Sequence, residues 1–473
     1  MNKKQLCYVI MMLGICVLPF AGMIWYHREE SVENRKLAEM PVLKTEEGWN
    51  KKILSDAGAY FEDHFAYRQE MVTADALIRG RIFGVASEDS VIEGTDGWLY
   101  YMDSLDDYLG RNVLSDRAIY NAAHSLKMMQ DYIEDTGRKF VFTVAPNKNS
   151  LYNENMPYYY SIKESEDNNM DKLRKVLEQE EVRYVNLHQL FAEQKEILYH
   201  KRDSHWNNKG AAMAAEALMD AAEREHTSYE NADFEIRSDF EGDLDQMLYP
   251  DAVIPEEEIY YTEPFAYEYT GEVESNFDPE IQTINSEKEG SLLMYRDSFG
   301  NALLPFMAEE FGAAKFSRGI PYYLDDMFFC NADTVIVERA ERFIPDMAEN
   351  PPVMQSPLVL LDYEETAFEE AADCKVTDEG LYLKISGVIH ENCMKPDSQI
   401  FLRLDGEFAY EAFPVTMVSE EAKSDYGYAV YLIKENLEGE SGRVELFVGD
   451  SGELIKVLDT EISFGLDEEE LFF

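Results

Sequence analysis

The stretch SLLMYRDSFG, residues 291–300, decides how this chain folds. Ser291 to Tyr295 is an apolar run of strand length, and Asn301 to Phe311 has the spacing of a buried helix. A strand that passes into a helix through a short polar turn is the unit of a parallel sheet, whose ligand crevice opens at the carboxyl ends of its strands. Ser298 is then presented on the turn with its hydroxyl exposed. The N–H groups of the following helix point to where negative charge develops when an acyl group is transferred. The same position also suits a serine that only caps the helix.

The unit recurs upstream. Ser115 is placed to cap a helix carrying Ile119, Ala122, Leu126, Met129 and Ile133 at three- and four-residue spacing, with Gly137 to end it. Phe140 to Val144 follows as a buried strand. A helix over Asp171–Gln179, a strand over Val182–Leu187 and an Ala- and Met-rich helix over Asn207–Ala222 come next, and Thr334–Glu338 supplies a later strand. The alternation predicts an α/β domain whose parallel sheet is covered on both faces. Past Asn350-Pro351-Pro352 the pattern changes to short runs at 381–385, 400–404, 428–433, 444–448 and 454–458, with turn residues between, which reads as a small all-β sandwich. The expected organisation is a start and anchor over 1–27, a stalk over 28–95, the α/β domain over 96–350 and the sandwich over 355–473.

Two more segments carry chemistry. In Asp203-Ser204-His205-Trp206-Asn207 the carboxylate and imidazole converge from one loop, so Asp203 can hold Nδ1 and leave Nε2 free to take a serine proton. The alternative is a structural histidine followed by an Asx helix cap. A metal site is also conceivable, but no Cys/His spacing suggests one. Asn147 and Lys148, directly after a strand, are candidates to complete an oxyanion hole or bind substrate, or form an ordinary strand-end turn.

The net charge of −52 argues against nucleic acid, which needs clustered Lys and Arg. It fits a solvated acidic surface, or less directly an acidic binding tract. The five cysteines show no zinc spacing and no disulfide framework, although a Cys374–Cys393 bridge stays open. Leu6 to Tyr26 is an apolar stretch of about 21 residues, enough for a helix to cross a ~30 Å hydrocarbon core. Lys3 and Lys4 before it, and Trp25 and Tyr26 at its end, predict a lipid-bilayer anchor with a cytoplasmic N-terminus and the bulk of the chain extracellular. A cleaved signal peptide is the alternative.

Taken together, these motifs resemble the SGNH-like polysaccharide O-acetyltransferases of the AlgX/AlgJ type, and more closely their Gram-positive DHHW relatives. The resemblance runs over about residues 30–350. It rests on Glu33-Asn34-Arg35, Asp63-His64-Phe65 with Arg68, Gly94 to Tyr100, Pro146-Asn147-Lys148, Asp203 to Trp206, Arg296 to Phe299, and Val337 to Arg342. It implies an SGNH-like (flavodoxin-like) sheet with Ser298 as acyl-accepting nucleophile, His205 as base and Asp203 as its orienter. Asn147, Lys148, Asp297 and Arg296 are the candidate oxyanion and substrate-binding residues. The Asp-x-His element precedes the serine, the permuted order of that family. The resemblance further implies a polysaccharide acceptor and a membrane-bound O-acyltransferase as acetyl donor partner; no bound cofactor and no metal is called for. The C-terminal β domain is similar to carbohydrate-binding modules in general character only.

Overall fold

The computed structural model describes residues 3–23, 38–74 except 39, 46, 47, 69 and 72, and 90–464 except 166, 362, 363, 366, 367, 369, 407, 420, 421, 451 and 452. The Glu33-Asn34-Arg35 motif and the end of the apolar stretch at 24–26 lie outside the described residues.

Helix α1 covers Lys3–Gly22, rather than the 6–26 stretch expected from hydropathy. Among the described residues no helix is long and apolar enough to cross a membrane, so the spanning helix of the sequence reading is not found. Helix α2, Ile53–His64, ends in the Asp63-His64-Phe65 motif, and Asp63 accepts the Ala38 N–H. A hairpin of β1 (Val91–Glu93) and β2 (Leu99–Tyr101) follows, turned by Gly94 to Gly97 as the sequence suggests. Asp96 and Gly97 both take positive φ there, at 53° and 81°.

The central sheet uses β3 (Lys139–Ala145), β4 (Tyr184–Val185), β7 (Glu268–Tyr269), β8 (Glu280–Ile284), β9 (Ser291–Tyr295), β10 (Ala313–Ser317) and β11 (Thr334–Ala340). A separate hairpin, β5 (Phe234–Phe240) with β6 (Glu256–Tyr261), lies between β4 and β7 in the chain. The sheet order is β4-β3-β11-β9-β10-β8-β7. The five strands from β4 to β10 are parallel; β8 pairs antiparallel to β10, and β7 antiparallel to β8.

Burial on both faces explains the apolar runs of β3, β9 and β11. Phe140, Phe142, Val144, Leu293, Tyr295, Val335 and Val337 enter one core. Val141, Ala145, Leu292, Met294, Ile336 and Ala340 enter the other. A strand buried on both faces has no position for a solvated side chain. Each fully buried side chain of this size contributes about 1.5–3 kcal/mol. The first face is covered by α3 (Asp116–Asp135) and α5 (Asn169–Gln179), the second by α7 (Asn208–Ala221) and α9 (Gly300–Glu309). The caps are as the sequence suggests for two of these helices: Ser115 accepts from Ala118 N, and Asn207 from Gly210 N.

The C-terminal region forms a four-stranded and a six-stranded antiparallel-rich sheet. Ile385, Tyr428 and Val430 of one share a core with Ile400, Leu402 and Val444 of the other, which is sandwich packing. Its other side is not free. Tyr382, Phe413, Val415, Ala429 and Tyr431 belong to the same core as α3 and β3. Polar groups bolt this seam: Arg117 Nη1 donates to Ser398 O at 2.7 Å, and Asn121 Nδ2 to Asp425 O at 2.8 Å. His124 bridges Glu180 (2.7 Å) and Glu411 (3.0 Å) across it. Cys374 and Cys393 are unbridged and pack against the sandwich core.

Candidate active site

Two loops converge at the candidate site, one of them at the carboxyl end of β9. The first follows β9. Asp297, buried, fixes it: its N–H donates to Glu338 at 3.1 Å, its Oδ1 accepts Phe299 N at 2.9 Å, and its Oδ2 accepts Ala340 N at 2.6 Å. One carboxylate thus ties the turn to the end of the neighbouring strand β11 and leaves Ser298, half-buried, at its apex.

The second loop lies between Leu198 and α7. Tyr199 and Trp206 form a bridge, and Asn207 N donates to Leu198 O at 2.9 Å, so residues 200–206 are pinched into a closed loop. Within it Asp203 Oδ1 accepts the His205 backbone N–H and lies against His205 Nδ1, each at 2.8 Å. On the other side of the ring His205 Nε2 is 2.8 Å from Ser298 Oγ. The Phe299 ring meets the imidazole edge-on at 4.8 Å between centroids, and Trp206 packs on the same phenyl ring. The structure therefore brings Asp203, His205 and Ser298 into one hydrogen-bonded series, the arrangement in which a serine hydroxyl can be deprotonated by a held imidazole.

Electrostatics follow the geometry. Burial opposes a charged imidazole, but the Asp203 carboxylate, with Asp243 nearby, outweighs it and raises the His205 pKa. Burial also works against an ionised Asp203, yet the His205 charge and hydrogen bond and the Asp243 N–H hold that carboxyl well below the usual range.

The other sequence candidates take different places. Buried Lys148 donates its ammonium to the carbonyls of His200 (3.1 Å), Lys201 (3.0 Å) and Asp203, clamping the histidine loop from beneath. Burial lowers its pKa to about 8. Asn147 gives its backbone N–H to Glu341 at 2.7 Å and its side-chain amide to Asp107 at 3.3 Å. Arg296 donates to Asn301, to Asn276 O and to Asp278 O, pinning the loop 276–278 beside the turn. These three, with Asp297, were expected at the oxyanion or substrate. In this structure Lys148 supports the histidine loop from beneath, Asn147 is held by Glu341 and Asp107, and Arg296 and Asp297 brace the Ser298 turn from within it.

Sequence reading missed Asp243 and gave Arg342 no role. Asp243 starts α8 (Asp243–Leu248). Its N–H donates to Asp203 Oδ2 at 2.8 Å, and its carboxylate accepts from Ser204 N (2.8 Å) and Ser204 Oγ (2.5 Å). It stands 3.6 Å from His205 Nδ1. Burial first, and the Asp203 charge second, push its pKa up to about 6. Gly242 just before it is required by close approach: a Cβ there would meet Arg202 O at 2.3 Å. Asp203, His205 and Asp243 place one ligand atom each within 4.8 Å, so this trio is where a metal ion could be held. In this structure those atoms hydrogen-bond one another and Ser204. The Arg342 guanidinium lies 5.6 Å from the Phe299 ring and 5.4 Å from that of Tyr101, close to the nucleophile turn. It lies within the Val337–Arg342 segment that contributes to the family resemblance, but that segment alone specifies no partner.

A serine, a histidine and an aspartate in hydrogen-bond series at the strand ends of a parallel sheet define an acyl-transfer centre on an α/β scaffold. Residues 91–270 match the family described as the SGNH hydrolase-like domain of the acetyltransferase AlgX. The matched segment contains Asn147, Lys148, Asp203, His205 and Asp243, while Ser298 is supplied from beyond it by the fold. No curated protein matches the chain. Among solved structures it is similar to a DHHW family protein from Eubacterium siraeum (17% identity, 47% of this chain and 85% of that one, TM-score 0.38). It is also similar to Bacillus cereus PatB1 with a sulfonyl adduct (15%, 54% and 97%, 0.40) and Pseudomonas aeruginosa AlgX (13%, 79% and 90%, 0.33). These structural likenesses are too low to bear on the chemistry, which rests on the domain match and the site itself.

Proposed function

We propose that this chain transfers an acetyl group, through an acyl-Ser298 intermediate, onto a hydroxyl of a cell-surface or exported polysaccharide. The observation that carries the reading is the Asp203–His205–Ser298 series, with 2.8 Å at each junction. Ser298 Oγ attacks the acyl carbon while its proton passes to His205 Nε2, and Asp203 stabilises the imidazolium at Nδ1. Nε2 then returns that proton to the leaving group. In the second half Nε2 takes the proton of a sugar hydroxyl, whose oxygen attacks the acyl carbon, and Ser298 leaves with the proton. The positive end of α9, ten residues long, and the Arg342 guanidinium favour the oxyanion in both halves.

The place of action in this reading is the outer face of a membrane, with a membrane-bound O-acyltransferase delivering the acetyl group. The apolar start supports it: Tyr8, Ile10, Met11 and Leu13 of α1 are all more than half exposed, an unfavourable arrangement in water that lipid would relieve. The test is intact-protein mass spectrometry with p-nitrophenyl acetate, followed by product analysis with oligosaccharide acceptors. Acetylated sugar supports the transferase. Acetate alone at saturating acceptor would mean that the same triad serves an esterase.

A further inference from the structure

A cavity of about 480 Å³ opens beside the site, at the carboxyl ends of β3 and β4. Its walls come from α4 (Lys148–Leu151), the start of α5, and α6 (Leu187–Ala192), with Asp107 and Glu341 among the lining. Its size falls in the range of small-ligand sites, about 300–1,000 Å³.

The lining is rich in buried acceptors. Asn149 is 1% exposed; its amide nitrogen is fixed by Ser104 O (3.2 Å) and Ser104 Oγ (2.9 Å), and its carbonyl oxygen Oδ1 has no partner. A buried amide oxygen without a donor is rare in folded proteins. Asp107 and Glu341, both buried, add carboxyl oxygens to the same space. Tyr108 and His188 give it ring surfaces. Of the cations at the wall, Arg174 is paired with Asp171 and Glu178, and Lys163 lies over the Tyr108 ring. Such a space disfavours an anion and suits a ligand that donates several hydrogen bonds and offers an apolar face.

The cavity is mechanically joined to the nucleophile. Ala340 N donates to Asp297, which holds the Ser298 turn, and the next residue, Glu341, accepts Asn147 N and lines the cavity. Only β11 separates β3, whose end borders the cavity, from β9, which carries the serine. At about 4.8 Å between neighbouring strands, the offset is one that a few linked sugars span.

We propose that this cavity is an acceptor subsite that binds a neutral hexopyranose unit of the glycan, away from the unit being acylated. The proposal rests on the transferase reading and adds where the acceptor is held. The experiment is calorimetric binding of cellotetraose, chitotetraose and mannotetraose to the full-length Ser298→Ala chain in detergent, with no acyl chemistry involved. Gln189→Trp, from an exposed wall position, fills the space, and His188→Ala removes a ring. The expected result is binding of at least one tetraose, weakened about tenfold or more by either change. Affinity unaltered by both changes, or binding of none of the three, overturns the subsite. The transferase reading is judged separately, by whether wild type forms an acetyl-enzyme with p-nitrophenyl acetate.

Discussion

His205 Nε2 lies 2.8 Å from Ser298 Oγ, although 93 positions separate the two residues in the chain. Two independent loops, each tied down by a buried aspartate, have to agree to place them. Ser298→Ala should therefore leave the fold intact and lower acyl transfer by at least about 10³-fold. Turnover of p-nitrophenyl acetate, with circular dichroism as a fold control, checks this.

The His205 pKa is raised by Asp203 and Asp243, and only the neutral ring accepts the serine proton. Activity should thus rise with pH along a limb lying above the ordinary histidine value. Removing the Asp243 charge removes part of what favours the imidazolium, so Asp243→Asn should move the limb to lower pH. A pH profile of kcat/KM on both proteins tests the sign; a limb that stays put or moves up contradicts the role given to Asp243.

Gly242 has an ordinary φ of −72°, so alanine there meets no backbone strain of its own. Its Cβ would nevertheless stand 2.3 Å from Arg202 O and 2.9 Å from Asp203 N. Gly242→Ala should push the aspartate loop away and lower kcat by about 10²-fold, the scale expected of a 1 Å misplacement. Steady-state kinetics would show kcat falling while the fold survives.

Lys148 touches three loop carbonyls, which makes it a positioning residue. Lys148→Met should lower kcat and stability together and leave the acceptor KM near its original value. A rise in acceptor KM with kcat intact would return Lys148 to the substrate-binding role that its place after a strand suggests.

His124 joins the α/β region to the sandwich through Glu180 and Glu411. Burial works against its charge, but the two carboxylates raise its pKa to about 9. A raised histidine pKa gives stability that is complete below the unfolded value near 6.5 and is lost as pH climbs through 9. Roughly 1–3 kcal/mol should disappear across that window. His124→Gln should flatten the curve, as read by thermal unfolding from pH 6 to 9.5.

Much of this was legible in the sequence, for physical reasons. β3, β9 and β11 are buried on both faces, so their apolar runs show directly. Ser115 and Asn207 are local caps that need no tertiary partner. The Asp203–His205 contact spans two residues and is written in the motif. By contrast, β4 shrank to Tyr184–Val185, because Asn186 caps α6 and ends the strand early. The β5–β6 hairpin escaped notice because its first strand is exposed along most of its length and carries no inward stripe. Asp243 lies 40 residues from Asp203 in sequence, and nothing local marks the contact. The shared core of Phe413 and Tyr431 with α3 was equally silent, since an apolar strand does not name the surface it covers.

The central claim is that Ser298 carries the acyl group to a sugar. Mass spectrometry of the protein mixed with p-nitrophenyl acetate, before and after addition of an oligosaccharide, tests it most directly. The account predicts one added acetyl group on the peptide containing Ser298, absent from Ser298→Ala, which leaves the protein and appears on the sugar. An unmodified Ser298, or an acetyl group that the sugar never receives, would contradict it.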